Sequence, residues 1–192
     1  DGSTTTVTKP VRMTSAQEWT ADNAAPTHAQ EHFVGLLQSL CEGIEQPTQG
    51  KGRPRLPLAD VVFALALKSY STLSGRRATS LIRDAELRGL MDHAPHYNSA
   101  FRYLESPDLT PILKWLIEES AKPLKAVELD FAVDSTGFAT CIYDRWFDHK
   151  WGKVRSERKW IKAHFITGVK TNIITSVEAT PTETADAPQL PA

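Results

Sequence analysis

The spacing of the apolar residues changes at Ala126, and this change limits the folds open to the 192-residue chain. Upstream, over residues 27–125, apolar side chains recur every three or four residues, the period of an α-helix with one buried face. Downstream they recur every second residue in several short runs, which is the period of a β-strand. The sequence therefore predicts an α+β chain in which a helical region precedes the first strands of a sheet.

The first run of period two lies in Val127–Phe138, where apolar and polar residues alternate as far as Asp134. We expect this strand to bury Leu129 and Phe131 and to end at Asp134, because the small residues Ser135-Thr136-Gly137 permit a turn. A carboxylate at the end of a strand is placed to hold a divalent cation beside a phosphate. Asp also opens many turns without further function, and on this stretch alone both interpretations stand.

Three regions follow from the patterns along the chain. Residues 1–26 are rich in Thr, Ser, Ala and Pro without periodicity, which predicts a loose arm. Residues 27–125 are predicted to be helical, with helices at 27–45, 57–73, 76–88, 98–105 and 108–122. Residues 126–192 are predicted to begin a second domain, with further strands at 159–168 and 173–180 that complete an antiparallel meander.

The second and third predicted helices have the spacing of a helix-turn-helix pair. A short turn that contains Gly75 separates them, and Arg76 and Arg77 open the second helix. Such a pair is typical of DNA-binding proteins, in which the second helix enters the major groove. It is equally typical of two neighbouring helices in an ordinary bundle, so the pattern leaves both interpretations open.

The formal net charge of −1 conceals two basic segments, residues 51–88 and 143–170. Each carries 8 basic and 3 acidic side chains, whereas the rest of the chain is acidic. Two basic segments in an acidic chain favour two contacts with a polyanion, although solvated surfaces give the same pattern. The candidate DNA-binding residues are Arg53, Arg55, Arg76, Arg77, Lys150, Lys153, Arg155, Arg158, Lys159 and Lys162.

The composition predicts a cytoplasmic protein without a membrane segment. No apolar run approaches the ~18 residues of a membrane span, and the first residues do not form a signal peptide. Cys41 and Cys141 are isolated thiols without metal-ligand spacing, which suits a reducing compartment. A DNA-binding role would add association with DNA, and the family resemblance described next implies that this is the nucleoid of a prokaryotic cell.

Several pieces of the chain, in this order and spacing, resemble the DDE transposases of bacterial and archaeal insertion sequences. The pieces are Gly52-Arg53-Pro54-Arg55, Ser74-Gly75-Arg76-Arg77, Val133-Asp134-Ser135-Thr136-Gly137-Phe138, Tyr143, Trp146, Lys150, Gly152, Trp160-Ile161-Lys162-Ala163-His164 and Thr184-Ala185-Asp186-Ala187. The resemblance covers about residues 50–192. It implies a helical DNA-binding region followed by the first strands of a ribonuclease-H-like domain.

In that family three carboxylates hold two Mg²⁺ or Mn²⁺ ions for phosphodiester cleavage and strand transfer. The resemblance assigns the first carboxylate to Asp134, as both catalytic residue and metal ligand. Asp186 matches instead an acid before the first helix that follows the meander, and the second and third catalytic acids are expected beyond Ala192. We therefore expect the front part of a transposase that does not catalyse by itself. The implied partners are transposon-end and target DNA, with self-association in the DNA complex.

Other interpretations stay open from the sequence. A DNA-binding protein without chemistry, such as a truncated regulator of transposition, would share the helical region. Another ribonuclease-H-like nuclease, such as a repair or junction enzyme, would share the carboxylate strand. Lys162 and His164 alternate with Trp160 on one strand face, which either lines the site of Asp134 or faces solvent.

Overall fold

The computed structural model describes residues 19–52, 54–139 and 160–181. These ranges form an α+β fold with five α-helices, a short 3₁₀ helix and a three-stranded antiparallel sheet, which confirms the predicted class. The helices are α1 (Trp19–Glu42), α2 (Leu58–Ser71), α3 (Gly75–Leu87), α4 (Tyr97–Leu104), α5 (Leu109–Ala121) and the 3₁₀ helix Lys122–Ala126. The strands are β1 (Phe131–Ala139), β2 (Trp160–Gly168) and β3 (Ile174–Pro181). The chain divides into two compact units between Gly35 and Leu36, within α1.

Helix α1 begins eight residues before the predicted start at Thr27. The prediction ended the loose arm at residue 26, because residues 1–26 lack apolar periodicity and are rich in Thr, Ser, Ala and Pro. The helix nevertheless contains Pro26, and the Thr27 hydroxyl donates a 2.7 Å hydrogen bond to the carbonyl of Ala24 beside it. Residues 19–26 of the predicted loose arm are therefore helical, which corrects that prediction, and residues 1–18 lie outside the described part.

The central helix of the second unit is α2. Its consecutive residues Val61, Val62, Phe63 and Ala64 are at most 1% exposed, so this turn of the helix is buried on every side rather than along one stripe. Helices α3 and α4 both pack against it and against each other. The predicted helices at 57–73, 76–88, 98–105 and 108–122 are confirmed, with boundaries that differ by up to two residues.

The break between α2 and α3 is short and tightly packed. Thr72 ends α2 in the left-handed conformation, with φ of 55°, and its N–H donates to the Ser69 carbonyl. Gly75 then opens α3 with the Phe101 ring of α4 directly against it. A Cβ at this position would lie 2.7 Å from Phe101 Cζ, so the close approach of the two helices requires glycine.

The three strands form the predicted meander, in the order β1-β2-β3 with both pairs antiparallel. The ends of β2 and β3 each lie within one residue of the prediction. Helix α5 packs against β3, where Lys114 forms an ion pair with Glu178. We call the sheet face that carries Glu178 the α5 face, and the other the opposite face.

The start and end of β1 differ from the prediction. The strand runs from Phe131 to Ala139, so Asp134 lies inside it and Ser135-Thr136-Gly137 continue the strand instead of turning. Leu129 is 87% exposed and Glu128 only 5%, which reverses the predicted alternation. The reason lies outside the local pattern, because Glu128 is held by hydrogen bonds to the β2–β3 turn 42 and 43 residues downstream.

Candidate nucleic-acid interface and carboxylate site

Helix α3 has one buried and one basic side. Ala78, Ile82 and Ala85 are at most 3% exposed and pack towards α2 and α4. Arg76 and Arg77, in the first turn, are exposed. Because these arginines extend from a helix fixed on its apolar side, their charged groups are available to a polyanion.

Arg76 of α3 and Arg88, which directly follows α3, have local partners. Arg76 Nε lies 3.4 Å from the Tyr97 hydroxyl of α4, and this contact raises the pKa of the guanidinium above its ordinary value. Arg88 lies 3.7 Å from Asp84, one turn back along the helix. The Tyr97 contact favours one position for the Arg76 side chain on the exposed side of α3.

The other candidate DNA-binding residues do not belong to α3. Arg55 is exposed and lines a cavity of about 210 Å³, together with Tyr103 and Leu109. Its backbone N–H donates a 2.8 Å hydrogen bond to Gln49 Oε1. The predictions for Arg53, Lys150, Lys153, Arg155, Arg158 and Lys159 fall outside the described residues.

Asp134 is exposed on the opposite face of the sheet, across from Phe165 of β2. Its Oδ1 accepts a 2.7 Å hydrogen bond from the backbone N–H of Ser135. An exposed carboxylate on a rigid strand is a possible oxygen ligand for a cation. In the described residues, its Oδ1 already has the Ser135 N–H as a partner.

Lys162 and His164 lie on the other side of the sheet from Asp134. The register pairs Lys162 with Gly137 and His164 with Ser135, and paired residues of antiparallel strands share a face. His164 is only 3% exposed, and its Nε2 lies 2.7 Å from the Thr180 hydroxyl on β3. Of the two interpretations of this strand face, the one in which it lines the site of Asp134 is therefore wrong, because the register places Asp134 on the other face. The other, a solvent-exposed face, is wrong for His164, which is buried.

The described residues do not fit the two-ion site that the resemblance implies. Within residues 19–52, 54–139 and 160–181, no group of three or more His, Cys, Asp or Glu side chains could hold a metal ion. Asp134 alone supplies one carboxylate, whereas Mg²⁺ that is bound by protein takes further oxygen ligands in octahedral geometry. We therefore derive no catalytic step through a metal ion from this arrangement.

Two buried carboxylates that the sequence did not single out have structural roles. Asp60 of α2 accepts hydrogen bonds from the N–H groups of Asp92 and His93, at 3.2 and 2.9 Å, and so fixes the loop after α3. It also lies near Cys41, whose pKa is raised to about 12 by burial and by the charge of Asp60. Asp92 and His93 lie 32 and 33 residues after Asp60 in sequence, so no local pattern identifies this contact.

Glu128 fixes the turn between β2 and β3. Its carboxylate accepts hydrogen bonds from the Lys170 N–H at 3.2 Å, and from the Thr171 N–H and hydroxyl, both at 2.9 Å. Burial alone would raise the pKa of Glu128, but the hydrogen bonds outweigh it and lower the pKa below its ordinary value. A Cβ at Gly168 would overlap this carboxylate, so the contact needs glycine at position 168. The glycine is the feature of the sequence that could have indicated this contact.

Comparisons with known proteins leave the family open. No family model matches the chain, no curated protein matches it, and no solved structure matches it. In the parts of the chain that the structure describes, no helix is long and apolar enough to cross a membrane.

Proposed function

We propose that this chain is a DNA-binding protein of the DDE transposase type, which binds double-stranded DNA through the basic side of α3. The observation that carries the proposal is the division of α3 into two sides. Ala78 and Ile82 are buried, whereas Arg76 and Arg77 are exposed at the start of the helix. A short turn with Thr72 in the left-handed conformation connects it to the buried helix α2, as in a helix-turn-helix pair.

The charge distribution supports an electrostatic contact with phosphates. The segment 51–88 carries five more basic than acidic side chains although the whole chain has a net charge of −1. Arginine suits phosphate contacts because its planar guanidinium donates several hydrogen bonds and stays charged. The α+β order, with helices before a three-stranded antiparallel meander, agrees with the ribonuclease-H-like fold that we propose for the second region.

The test is the affinity for a fluorescently labelled duplex of mixed sequence, measured by anisotropy at several salt concentrations. Arg76→Gln/Arg77→Gln is expected to weaken binding and to reduce the slope of log K against log salt by about 2, since each phosphate contact contributes about one. The matched control is Lys122→Gln/Lys125→Gln, which removes two exposed charges from the 3₁₀ helix. An equal loss of DNA affinity in both variants, or no DNA binding by the unchanged chain, would contradict the proposal.

For chemistry, the proposal assigns one residue of this chain, Asp134, as a carboxylate ligand in a metal-dependent phosphodiester cleavage. Its exposure on a strand of the meander supports that role. The other ligands of such a site are not among the described residues. Cleavage and strand transfer therefore belong to the proposed transposase, and DNA binding is the function proposed for this chain itself.

A second candidate is a DNA-binding protein without chemistry. The hydrogen bond from the Ser135 N–H to Asp134 Oδ1 favours it, because the carboxylate then has a structural partner. The two candidates share α3 and differ only in whether Asp134 binds a cation. Titration of the chain with Mn²⁺, followed by paramagnetic broadening of the NMR signals around Asp134, separates them.

A further inference from the structure

The first turn of α3 lies directly against α4. A Cβ at Gly75 would lie 3.2 Å from Tyr97 Cδ2 and 2.7 Å from Phe101 Cζ, so both rings of α4 approach the start of α3 closely. The Tyr97 ring meets the Phe101 ring edge-on, with centroids 6.1 Å apart, and the His96 ring at 4.4 Å. Because Tyr97 has neighbours on these sides and is only partly exposed, its ring is held in place by packing.

The Tyr97 hydroxyl accepts a hydrogen bond from one particular nitrogen of Arg76. The donor is Nε, which lies 3.4 Å from the hydroxyl oxygen. A guanidinium is planar, and its five N–H groups form a rigid fork. A contact at Nε therefore restricts rotation of the group and does not use Nη1 and Nη2 at the outer end of the fork. Two parallel hydrogen bonds from these nitrogens match two oxygens of a phosphate group.

The charges along α3 also favour an anion at its first turn. Arg76 and Arg77 lie in that turn without an acidic residue, and the last turn contains no basic residue. This order opposes the helix dipole, whose positive end is at the start of the helix and is stabilised by negative charge. A phosphate bound there would compensate both the dipole and the two arginines.

We infer that Tyr97 is a positioning residue for DNA binding, and that its hydroxyl orients the Arg76 guanidinium so that Nη1 and Nη2 donate to one phosphate of the duplex. The inference rests on the proposed function, since it concerns the same contact between α3 and DNA. It adds α4 to the interface as the helix that orients an arginine of its neighbour. Orientation before binding lowers the loss of side-chain entropy on binding.

The first test replaces the tyrosine and measures affinity for the labelled duplex by anisotropy at several salt concentrations. Tyr97→Phe removes the hydroxyl and keeps the ring. We expect the affinity to fall about two- to tenfold, the range of one hydrogen bond, with an unchanged slope of log K against log salt. The slope is kept because Arg76 retains its charge. Tyr103→Phe, at the other tyrosine of α4, is the matched control and is expected to bind like the unchanged chain.

A double-mutant cycle shows whether Tyr97 acts through Arg76. Tyr97→Phe is expected to have no further effect on affinity in an Arg76→Gln background, and its full effect in an Arg77→Gln background. A loss of affinity in both backgrounds, in neither, or in the Arg76→Gln background alone would overturn the inference.

The sequence of the duplex tests whether Arg76 contacts a phosphate. Phosphates are common to all sequences, so a duplex of A·T pairs alone is expected to show the same loss with Tyr97→Phe. A loss that is confined to duplexes with guanine would overturn the inference, because Arg76 would then contact a base.

Two further measurements separate this inference from the proposed function and from a loss of folding. If Arg76→Gln weakens DNA binding and Tyr97→Phe does not, only the inference fails, whereas an unchanged chain that does not bind DNA refutes both. Without DNA, hydrogen exchange of the Arg76 Nε–H, measured by NMR, is expected to be slower in the unchanged chain than in Tyr97→Phe, and equal rates would overturn the inference. Should Tyr97→Phe fail to fold, Arg76→Lys decides, since it keeps the charge and loses the fork. Arg76→Lys is expected to lose affinity with an unchanged slope, and unchanged affinity would overturn the inference.

Discussion

At the scale of single residues, Glu128 couples the stability of the sheet to pH. Its pKa is lower in the folded protein than in an unfolded chain, so the ionised form favours folding. The stabilisation is complete above the unfolded pKa of about 4.3 and is lost as the pH falls through the folded pKa. We expect Glu128→Gln to lower the thermal midpoint of unfolding at pH 7. In acid, the difference between the midpoints of the variant and the unchanged chain is expected to become smaller.

Thermal denaturation from neutral to acidic pH measures this effect. Glu105→Gln is the matched control, because Glu105 is exposed at the end of α4. The control is expected to follow the unchanged chain at every pH. A constant difference between Glu128→Gln and the unchanged chain, independent of pH, would show that the carboxylate charge does not hold the turn.

Cys41 gives a second prediction at the residue scale. Its pKa of about 12 leaves almost no thiolate at pH 8, and the thiol is 6% exposed. In a Cys141→Ser variant, alkylation by iodoacetamide at pH 8 is therefore expected to be slow, and to become fast when denaturant is added. Rapid alkylation of the folded protein, followed by mass spectrometry, would contradict the burial of Cys41.

At the scale of elements, the contact between α3 and α4 depends on Gly75. Gly75→Ala places a methyl group against the Phe101 ring and is expected to destabilise the fold by about 1–3 kcal/mol, as overpacking does. Gly35→Ala is the matched control, because its Cβ meets nothing within 4 Å in helix α1. The control is expected to stabilise by up to about 1 kcal/mol. Denaturant unfolding measures both, and a stable Gly75→Ala would refute the close approach.

The elements also show what the sequence predicts and where it fails. Helices α2 to α5 and strands β2 and β3 follow from local period, glycine and proline, which indicate the type of each element and where it begins and ends. Helix α1 continues through Pro26, and β1 begins three residues after Glu128. The start of β1 depends on contacts that a local pattern does not contain, the hydrogen bonds of Glu128 to Lys170 and Thr171. The described contacts do not explain why α1 continues through Pro26.

The candidate site was predicted less completely than the fold. Arg76 and Arg77 lie exposed at the start of α3, where the helix-turn-helix pattern put them. Lys162 lies on the face opposite Asp134, since the pairing of Asp134 with Phe165 fixes the register. Strand period gives the alternation of side chains, whereas the relation between two strands is decided by their hydrogen bonds.

At the scale of the whole molecule, the basic segments and the candidate carboxylate Asp134 lie in different parts of the sequence. The basic excess lies in the segments 51–88 and 143–170, whereas Asp134 lies in the acidic segment between them. Phosphate contacts need only positive charge, but cleavage by two metal ions needs several carboxylates at one place. In the described ranges Asp134 belongs to no such group. A chain with this charge pattern is expected to bind DNA without cutting it.

Incubation of the 192-residue chain with Mg²⁺ or Mn²⁺ and a supercoiled plasmid tests this prediction. We expect the plasmid to stay supercoiled at protein concentrations that shift its mobility in a gel, because a single carboxylate does not position two cations. Asp134→Ala and the unchanged chain are then expected to shift the plasmid equally, since Asp134 contributes no positive charge to binding. Metal-dependent nicking that Asp134→Ala abolishes would refute the expectation, and would show that residues outside the described ranges complete a site around Asp134.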